Sequence, residues 1–347
     1  LNLVTNLKGN GCVKLKAGIK QISEITGFST ATISNALNQK KGVGKKTSDR
    51  IFQVAREIGY IDANTVTKIK LAIYKKNGLI IDDTPFFTLL INGFEQECSK
   101  SGYEMVIANL DARKPNYEEQ VKQMMAEPDS AIVLLGTELS EEDLAIFKEA
   151  QCPLLLLDYW SSDMFFNGVI INNEDSIRMV VNYLLAKGHT EIGYLAGDFR
   201  ILGFKQRETG YKGALWENGL KSKQEYRIDL STTMDGAYKD MLEHLATKPV
   251  LPTAFVADND MIALGAMKAL QEKGYRIPED ISIIGFDDLS FCEITSPRLT
   301  SVRVPKQEMG MLAVREIINI IKMKDNLHTK VQVCTEFIER DSVKKLV

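Results

Sequence analysis

No apolar run in this 347-residue chain reaches the roughly eighteen residues that a membrane helix needs. Nor do the first twenty residues hold an apolar stretch suited to a secretory signal, which predicts a cytoplasmic protein without a membrane partner. The chain opens on Leu where Met is usual, and Leu1–Asn10 is assigned no element. Cysteine is scarce and scattered. Cys12, Cys98, Cys152, Cys292 and Cys334 form no CxxC pair, which argues against a zinc or disulfide framework and predicts reduced, mostly buried thiols. Three histidines, His189, His244 and His328, lack any metal-ligand spacing, so no metal site is expected. GxGxxG after a strand, GxSxG and HExxH are all absent, which removes the usual dinucleotide, serine-hydrolase and zinc-protease readings. Adjacent acids such as Asp82-Asp83, Glu141-Glu142 and Asp287-Asp288 read as solvated pairs or helix caps. A non-enzyme with no catalytic residue and no cofactor is the expectation.

What is present is unevenly charged. The chain carries 43 basic and 46 acidic residues, a net charge of −3, but residues 1–68 hold eleven Lys/Arg against four acids. That segment is therefore +7 and the remainder −10. Such a split suggests a basic module that meets a polyanion, joined to an acidic body with another task; the alternative is a solvated basic face.

The basic module reads as three short helices. One covers about residues 20–26, with Ile22 and Ile25 inward and Gly27 as its stop. Ser29 is a good N-cap for a second, about 30–37, on which Ile33 and Leu37 would pack inward. Thr30, Ala31, Ser34, Asn35 and Asn38 then point outward, with small hydrogen-bonding side chains suited to a major-groove floor. A third helix starts near Thr47, with Ile51, Val54, Ala55 and Ile58 in one stripe. Helix, Gly-containing turn and Ser-capped helix make a helix-turn-helix. Gly44-Lys45-Lys46-Thr47 fails the phosphate-loop pattern, since Gln39 stands at the first Gly position and Lys46 at the Ser/Thr position. Its lysines suit DNA phosphates.

From Ile69 onward, short apolar runs alternate with amphipathic helical stretches, the mark of parallel α/β sheets covered on both faces. About eight such units exceed one sheet and fit two doubly wound lobes. Strands are read at 70–74, 104–108, 131–135, 154–157, 169–171, 192–195, 254–257 and 282–285. Ligands in such sheets bind beyond the strands' carboxyl ends. Asp158, Asn259, Asp260, Asp287 and Asp288 all stand there, and each alternatively caps the helix that follows.

Residues Ile22 to Asn38, with Val43, Thr47, Arg50 and Glu57-Ile58-Gly59-Tyr60, resemble the DNA-binding head of the LacI/GalR family of bacterial repressors. The resemblance runs from about Lys20 to the C-terminus. It implies an all-α helix-turn-helix head (13–62), a short linker (63–68) and a two-lobed, periplasmic-binding-protein-like α/β body (69–342). Lobe one would be about 69–159 plus 301–324, and lobe two about 160–290 plus 325–342, with three crossings between them. DNA contacts are implied for Ser29, Thr30, Ala31, Thr32, Ser34, Asn35, Asn38, Lys45 and Lys46. Thr84-Pro85-Phe86-Phe87, Asp158-Tyr159, Arg207-x-x-Gly210-Tyr211, Asn259-Asp260 and Ile284-Gly285-Phe286-Asp287-Asp288 match the family's effector-cleft segments. Phe86, Phe87, Asp158, Tyr159, Arg207, Asn259 and Asp287 are the implied effector ligands, whereas Asp260, Asp288 and the Gly188-His189 element are taken as structural. An aromatic face with Asp, Asn and Arg is carbohydrate-binding chemistry. A homodimer bound to a pseudo-palindromic duplex is implied, with dimerisation through the body because leucine-zipper heptads are missing. A protein partner or a non-sugar effector is the alternative, and a sugar-transport protein a more distant one. Release from DNA on effector binding is the family's commoner sign.

The chain departs from the family at four places. Asn35 replaces a frequent Arg, which favours adenine over guanine. The hinge after Tyr60 is short and lacks the Ala-x-x-Leu element, so minor-groove wedging is not implied and a smaller bend is expected. Ile171 stands where an acidic residue is common, and the Lys75–Asp83 loop is longer than usual.

Overall fold

A computed structural model describes residues 18–37, 43–58, 60, 66–82, 84–323 and 327–346. It divides into two compact units, Leu1–Val66 and Thr67–Val347. Residues 63–65 of the expected linker, and Asn38, lie outside the described residues.

The first unit holds α1 (Ile19–Thr26), α2 (Thr30–Leu37) and α3 (Lys45–Glu57). Its core is Ile22, Ile33, Ala36, Ile51, Val54 and Ala55, with Phe28, Leu37, Val43 and Ile58 against it. Gly27 closes α1 at φ 75°, and its N–H donates to Ser23 O. The hydroxyls of Ser23 and Thr26 bond Phe28 O and Ile22 O, both at 2.7 Å, so the turn is tied from both sides. Ile25 does not face inward: it is 49% exposed. An eight-residue helix packed on two short neighbours buries only a narrow stripe, and Ile22 fills it.

In the second unit, parallel sheets form as the apolar runs require. The first lobe contains β1 (Lys68–Lys75), α4 (Phe86–Ser101), β2 (Glu104–Asp111), α5 (Tyr117–Met125), β3 (Ser130–Leu135), α6 (Glu141–Leu144), β4 (Leu154–Leu157) and β5 (Asn167–Ile171). The second contains α7 (Asn173–Ala186), β6 (Ile192–Gly197), α8 (Leu202–Glu217), β7 (Arg227–Leu230), α9 (Met234–Ala246), β8 (Ala254–Ala257), α10 (Asp260–Glu272), β9 (Ser282–Asp287), α11 (Phe291–Ile294) and β10 (Thr300–Arg303). The chain then returns through α12 (Lys306–Met323) and β11 (Lys330–Val333) to the first lobe, and through β12 (Glu336–Ile338) to the second. Sheet orders are β11-β5-β4-β3-β1-β2 and β12-β10-β9-β8-β6-β7. Among the described residues only β12 runs antiparallel to its neighbour.

Three crossings occur, as expected, but the lobe limits differ. Residues 167–171 belong to the first sheet, paired with β4, because the loop 158–166 carries the chain back without a helix. Thr300–Arg303 lies in the second sheet beside β9, and Lys330–Val333 in the first beside β5. Apolar runs of equal character do not reveal which of two sheets a strand joins. Strand β7 escaped the sequence reading because, as a sheet edge, it alternates Arg-Ile-Asp-Leu instead of running apolar.

Helices α4 and α12 touch backbone to backbone. A Cβ on Gly93 would stand 1.9 Å from Gln307 O, and one on Gly310 2.1 Å from Leu90 O. Neither obstacle is a movable side-chain tip, so Gly93→Ala must push the helices apart. Urea unfolding should show a loss of about 1–3 kcal/mol from this methyl alone; unchanged stability would mean that the two helices slide past each other freely.

Candidate effector cleft and DNA-facing helix

On α2, Thr30, Ala31 and Asn35 are exposed, while Thr32 and Ser34 are partly buried. Ser29 caps the helix: Thr32 N donates to Ser29 Oγ at 3.1 Å, and the two hydroxyls lie 2.8 Å apart. Both hydroxyls are thus engaged in starting the helix. Asn35 is left as an exposed side chain able to pair bidentately with an adenine edge. Helix α3 begins two residues earlier than expected, so Lys45 and Lys46 form its first turn, where no acid is present. Cations there oppose the helix dipole, an arrangement that an adjacent phosphate would relieve. Lys46 is exposed.

In the body, polar groups collect where the strands end. Asp158 follows β4 at φ 60°, and Asp287 and Asp288 close β9 at φ 105° and 51°. Left-handed backbone at non-glycine residues stores strain, and it concentrates at functional sites. Asp158 accepts a 2.6 Å hydrogen bond from Thr137 Oγ1. Burial pushes its carboxyl up to about 6; Thr137 and Arg207 oppose the rise, and Asp287 adds to it.

Arg207 is 5% exposed, with its guanidinium 3.7 Å over the Phe286 ring. Its Nε donates to Asn173 Oδ1 at 2.9 Å, Nη1 donates to Asp258 O, and Nη2 lies 3.9 Å from Asp287 Oδ1. The motif around it is divided by role. Tyr211 OH donates to Ile192 O at 2.7 Å, and Gly210 lets α8 approach Glu174 of α7. Burial raises the Asp287 carboxyl, with Arg207 and Lys306 holding it down. Behind Arg207, Asp258 is fully buried, accepts from Tyr194 OH (2.5 Å) and Gly197 N (2.8 Å), and pairs with Arg200. Burial nevertheless carries it up to about 6.

Lys306, the first residue of α12, is 5% exposed. Its ammonium donates to the carbonyls of Asp287 and Asp288 and lies 5.6 Å from the Phe86 ring. Phe86 and Phe87 open α4, both buried, with ring centroids 5.1 Å apart edge to face. Asp158, Arg207 and Asp287 therefore share one field, and Phe86 joins them through Lys306.

Two expected ligands are placed otherwise. Tyr159 is buried in the first-lobe core with Leu139, Leu144 and Phe147, because the left-handed turn at Asp158 sends the next side chain inward. Asn259 accepts from Ile262 N at 3.0 Å and so caps α10, leaving only its amide NH2 for a ligand. Asp260 and Asp288 are structural, as expected. Asp260 accepts from Ser301 Oγ, Leu289 N and Cys292 Sγ, and Asp288 pairs with Arg303 and Arg340. His189, fully buried, meets Thr253 Oγ1, Lys344 O and Ser282 Oγ. Thr137, Asn173, Asp258 and Lys306 were missed. The strand-end rule applied to β3 and β8 finds Thr137 and Asp258, whereas nothing in the sequence distinguishes Lys306 from a surface lysine. Among the described residues no cluster of His, Cys, Asp and Glu suits a metal ion, and no helix is long and apolar enough to cross a membrane.

A family model described as bacterial regulatory proteins, lacI family, matches residues 18–62, and one for periplasmic binding protein-like domains matches residues 181–343. The chain is similar to the HTH-type transcriptional repressor PurR of Vibrio atlanticus (strain LGP32). The two are 29% identical over 335 residues, which cover 95% of this chain and 99% of the relative. Its fold is that of the transcriptional regulator CelR in complex with cellobiose (TM-score 0.72, 23% identity, 94% of this chain and 99% of that one). The Lac repressor dimer bound to operator and the anti-inducer ONPF is equally similar (TM-score 0.72, 21% identity, 94% and 99% covered).

Proposed function

Because the chain belongs to the LacI/GalR family of bacterial regulators, we propose that it is a homodimeric repressor whose hold on DNA answers to a sugar bound between its two lobes. Family membership carries DNA binding under small-molecule control; the sugar, the dimer, cytoplasmic action without catalysis and the residues below are our own reading.

The observation that carries the reading is the state of the cleft carboxylates. The Asp287 carboxylate accepts no hydrogen bond from any described residue, and the Asp158 carboxylate accepts only the one from Thr137. Burial makes such unmet acceptors costly, so the fitting ligand is one that donates several hydroxyls. A neutral polyol does so, with its C–H face on Phe86 and Arg207 Nη2 donating to a ring oxygen. The binding of cellobiose by CelR supports a carbohydrate. For the dimer, β2 is a sheet edge with Ile107 48% exposed, and Leu89 on α4 is equally exposed. An apolar, unpaired edge is a surface that a second copy of the chain covers.

The test starts by selecting duplexes with randomised centres on the full-length protein at two salt concentrations and sequencing what is retained. A two-fold symmetric consensus with a steep salt slope is expected; binding without symmetry would overturn the dimeric reading. On that duplex, Asn35→Ala should relax the preference at one position per half-site by about 1–3 kcal/mol while leaving non-specific affinity nearly intact. Equal losses in both would show that Asn35 serves only backbone contacts. Asp287→Ala should keep DNA affinity and lose the release caused by sugars, cellobiose being the first to try; a variant that still responds places the effector elsewhere.

The pH dependence follows from Asp158. In the empty cleft its pKa is about 6, and hydroxyls donated to the carboxylate favour the ionised form. Effector affinity should therefore rise from pH 5 to 7 and level off above, as titration calorimetry would show, with Asp158→Asn flattening the curve. A flat wild-type curve would mean that no ligand hydroxyl meets Asp158.

A further inference from the structure

The long loop between β1 and α4 is built around a carboxylate that arrives from another strand. Glu138, 1% exposed and three residues beyond the end of β3, inserts its side chain under residues 76–81. Its Oε2 accepts from the backbone N–H groups of Lys76 (2.8 Å), Asn77 (3.0 Å) and Gly78 (2.9 Å). Oε1 accepts from those of Ile80 (3.1 Å) and Ile81 (3.2 Å). Five of the six amides of residues 76–81 thus converge on one anion, the geometry of a backbone nest, here filled from within. The loop has outer ties as well: Asp82 N to Gly78 O at 3.0 Å, Arg113 to Asn77 O at 2.8 Å, and ion pairs from Lys75 to Asp82 and Lys76 to Asp143. Ile80 and Ile81 are buried while Leu79 is 45% exposed, so the loop is packed and not merely draped.

Position gives the nest its meaning. Strand β3 lies between β1 and β4, with Ile73 opposite Leu135 and Leu135 opposite Leu157. The residue before Glu138 is Thr137, whose hydroxyl bonds Asp158, and the loop leads through Thr84 into Phe86 and Phe87. Two adjacent side chains after β3 therefore serve two parts of one wall, Thr137 the carboxylate and Glu138 the loop that delivers the aromatics.

We propose that Glu138 is a positioning residue of the effector cleft: it orders loop 76–82 as an internal anion and thereby sets where α4 begins. This rests on the cleft being the effector site, as argued above. Glu138 touches no ligand in this scheme. Its influence passes through five hydrogen bonds from backbone amides on one side and through the turn Gly136-Thr137 on the other, where Gly136 N donates to Leu157 O at 2.8 Å.

Hydrogen exchange on the full chain without effector tests the nest directly. In Glu138→Gln one oxygen remains and an NH2 replaces the other. The oxygen should stay with the three amides of Lys76–Gly78, leaving Ile80 and Ile81 facing a donor. Exchange at those two should quicken about tenfold or more, the loss of a charge-assisted bond, while the first three stay slow. In Glu138→Ala the whole loop should exchange quickly, and formate, but not chloride, should slow it again by refilling the nest. Unchanged protection over 76–81, or acceleration spread evenly through the body in both variants, would overturn the proposal. A second arm reads the cleft: Glu138→Gln should weaken cellobiose binding severalfold at an unchanged melting temperature. Undiminished binding with a freed loop would refute the positioning role. If the wild type ignores cellobiose and every other sugar, the sugar reading falls, while the exchange result still decides whether Glu138 orders the loop.

Discussion

A guanidinium removed from water must have its charge and its donors answered by the protein, and Arg207 is where the body meets that demand. Phe286 lies under its face, Asn173 and the Asp258 carbonyl take two of its donors, and Asp287 stands at 3.9 Å. Those partners come from the start of α7 and the ends of β8 and β9, three elements that are distant in sequence. Three N–H donors of Arg207 remain, and Asp158 of the first lobe lies within the same field. The cleft is accordingly a place of incomplete satisfaction. Its acidic neighbours Asp260 and Asp288 are instead engaged by the protein itself, Asp260 through hydrogen bonds and Asp288 through ion pairs with Arg303 and Arg340.

That contrast explains what the sequence made legible and what it did not. The alternation of apolar runs with amphipathic stretches, the Ser29 cap and the Gly27 stop translate directly into local structure, because each depends on residues a few positions apart. The gathering of Asp158, Arg207 and Asp287 where the strands end is also readable, since strand ends and a one-turn Arg–Gly spacing are local signals. Tyr159 was misjudged because its direction hangs on the φ of the residue before it, which no pattern of residue types records. Asn259 shows the converse difficulty: the same side chain suits a cap and a ligand, and only geometry separates the two. The lobe limits slipped for a topological reason, a parallel return from β4 to β5 without an intervening helix.

Lys306 and Glu138 illustrate a third kind of residue. Each is a charged side chain with almost no exposure, each is partnered by backbone atoms, and each lies far in sequence from the atoms it serves. Composition counts them with the solvated charges. Their environment is created by the fold, so their roles follow from it and not from their neighbours in the chain. The charge split between head and body behaves in the opposite way: it is a property of summed composition and needs no fold to be read.

The close seating of Gly93 against Gln307 and of Gly310 against Leu90 bears on how a signal could leave the cleft. Phe86 begins one of these helices and Lys306 the other, and their backbones meet within the following two turns. With no side-chain layer between them, nothing is available to absorb a displacement. Close backbone seating of this kind couples the starts of α4 and α12, so that a displacement of one helix is resisted or followed by the other.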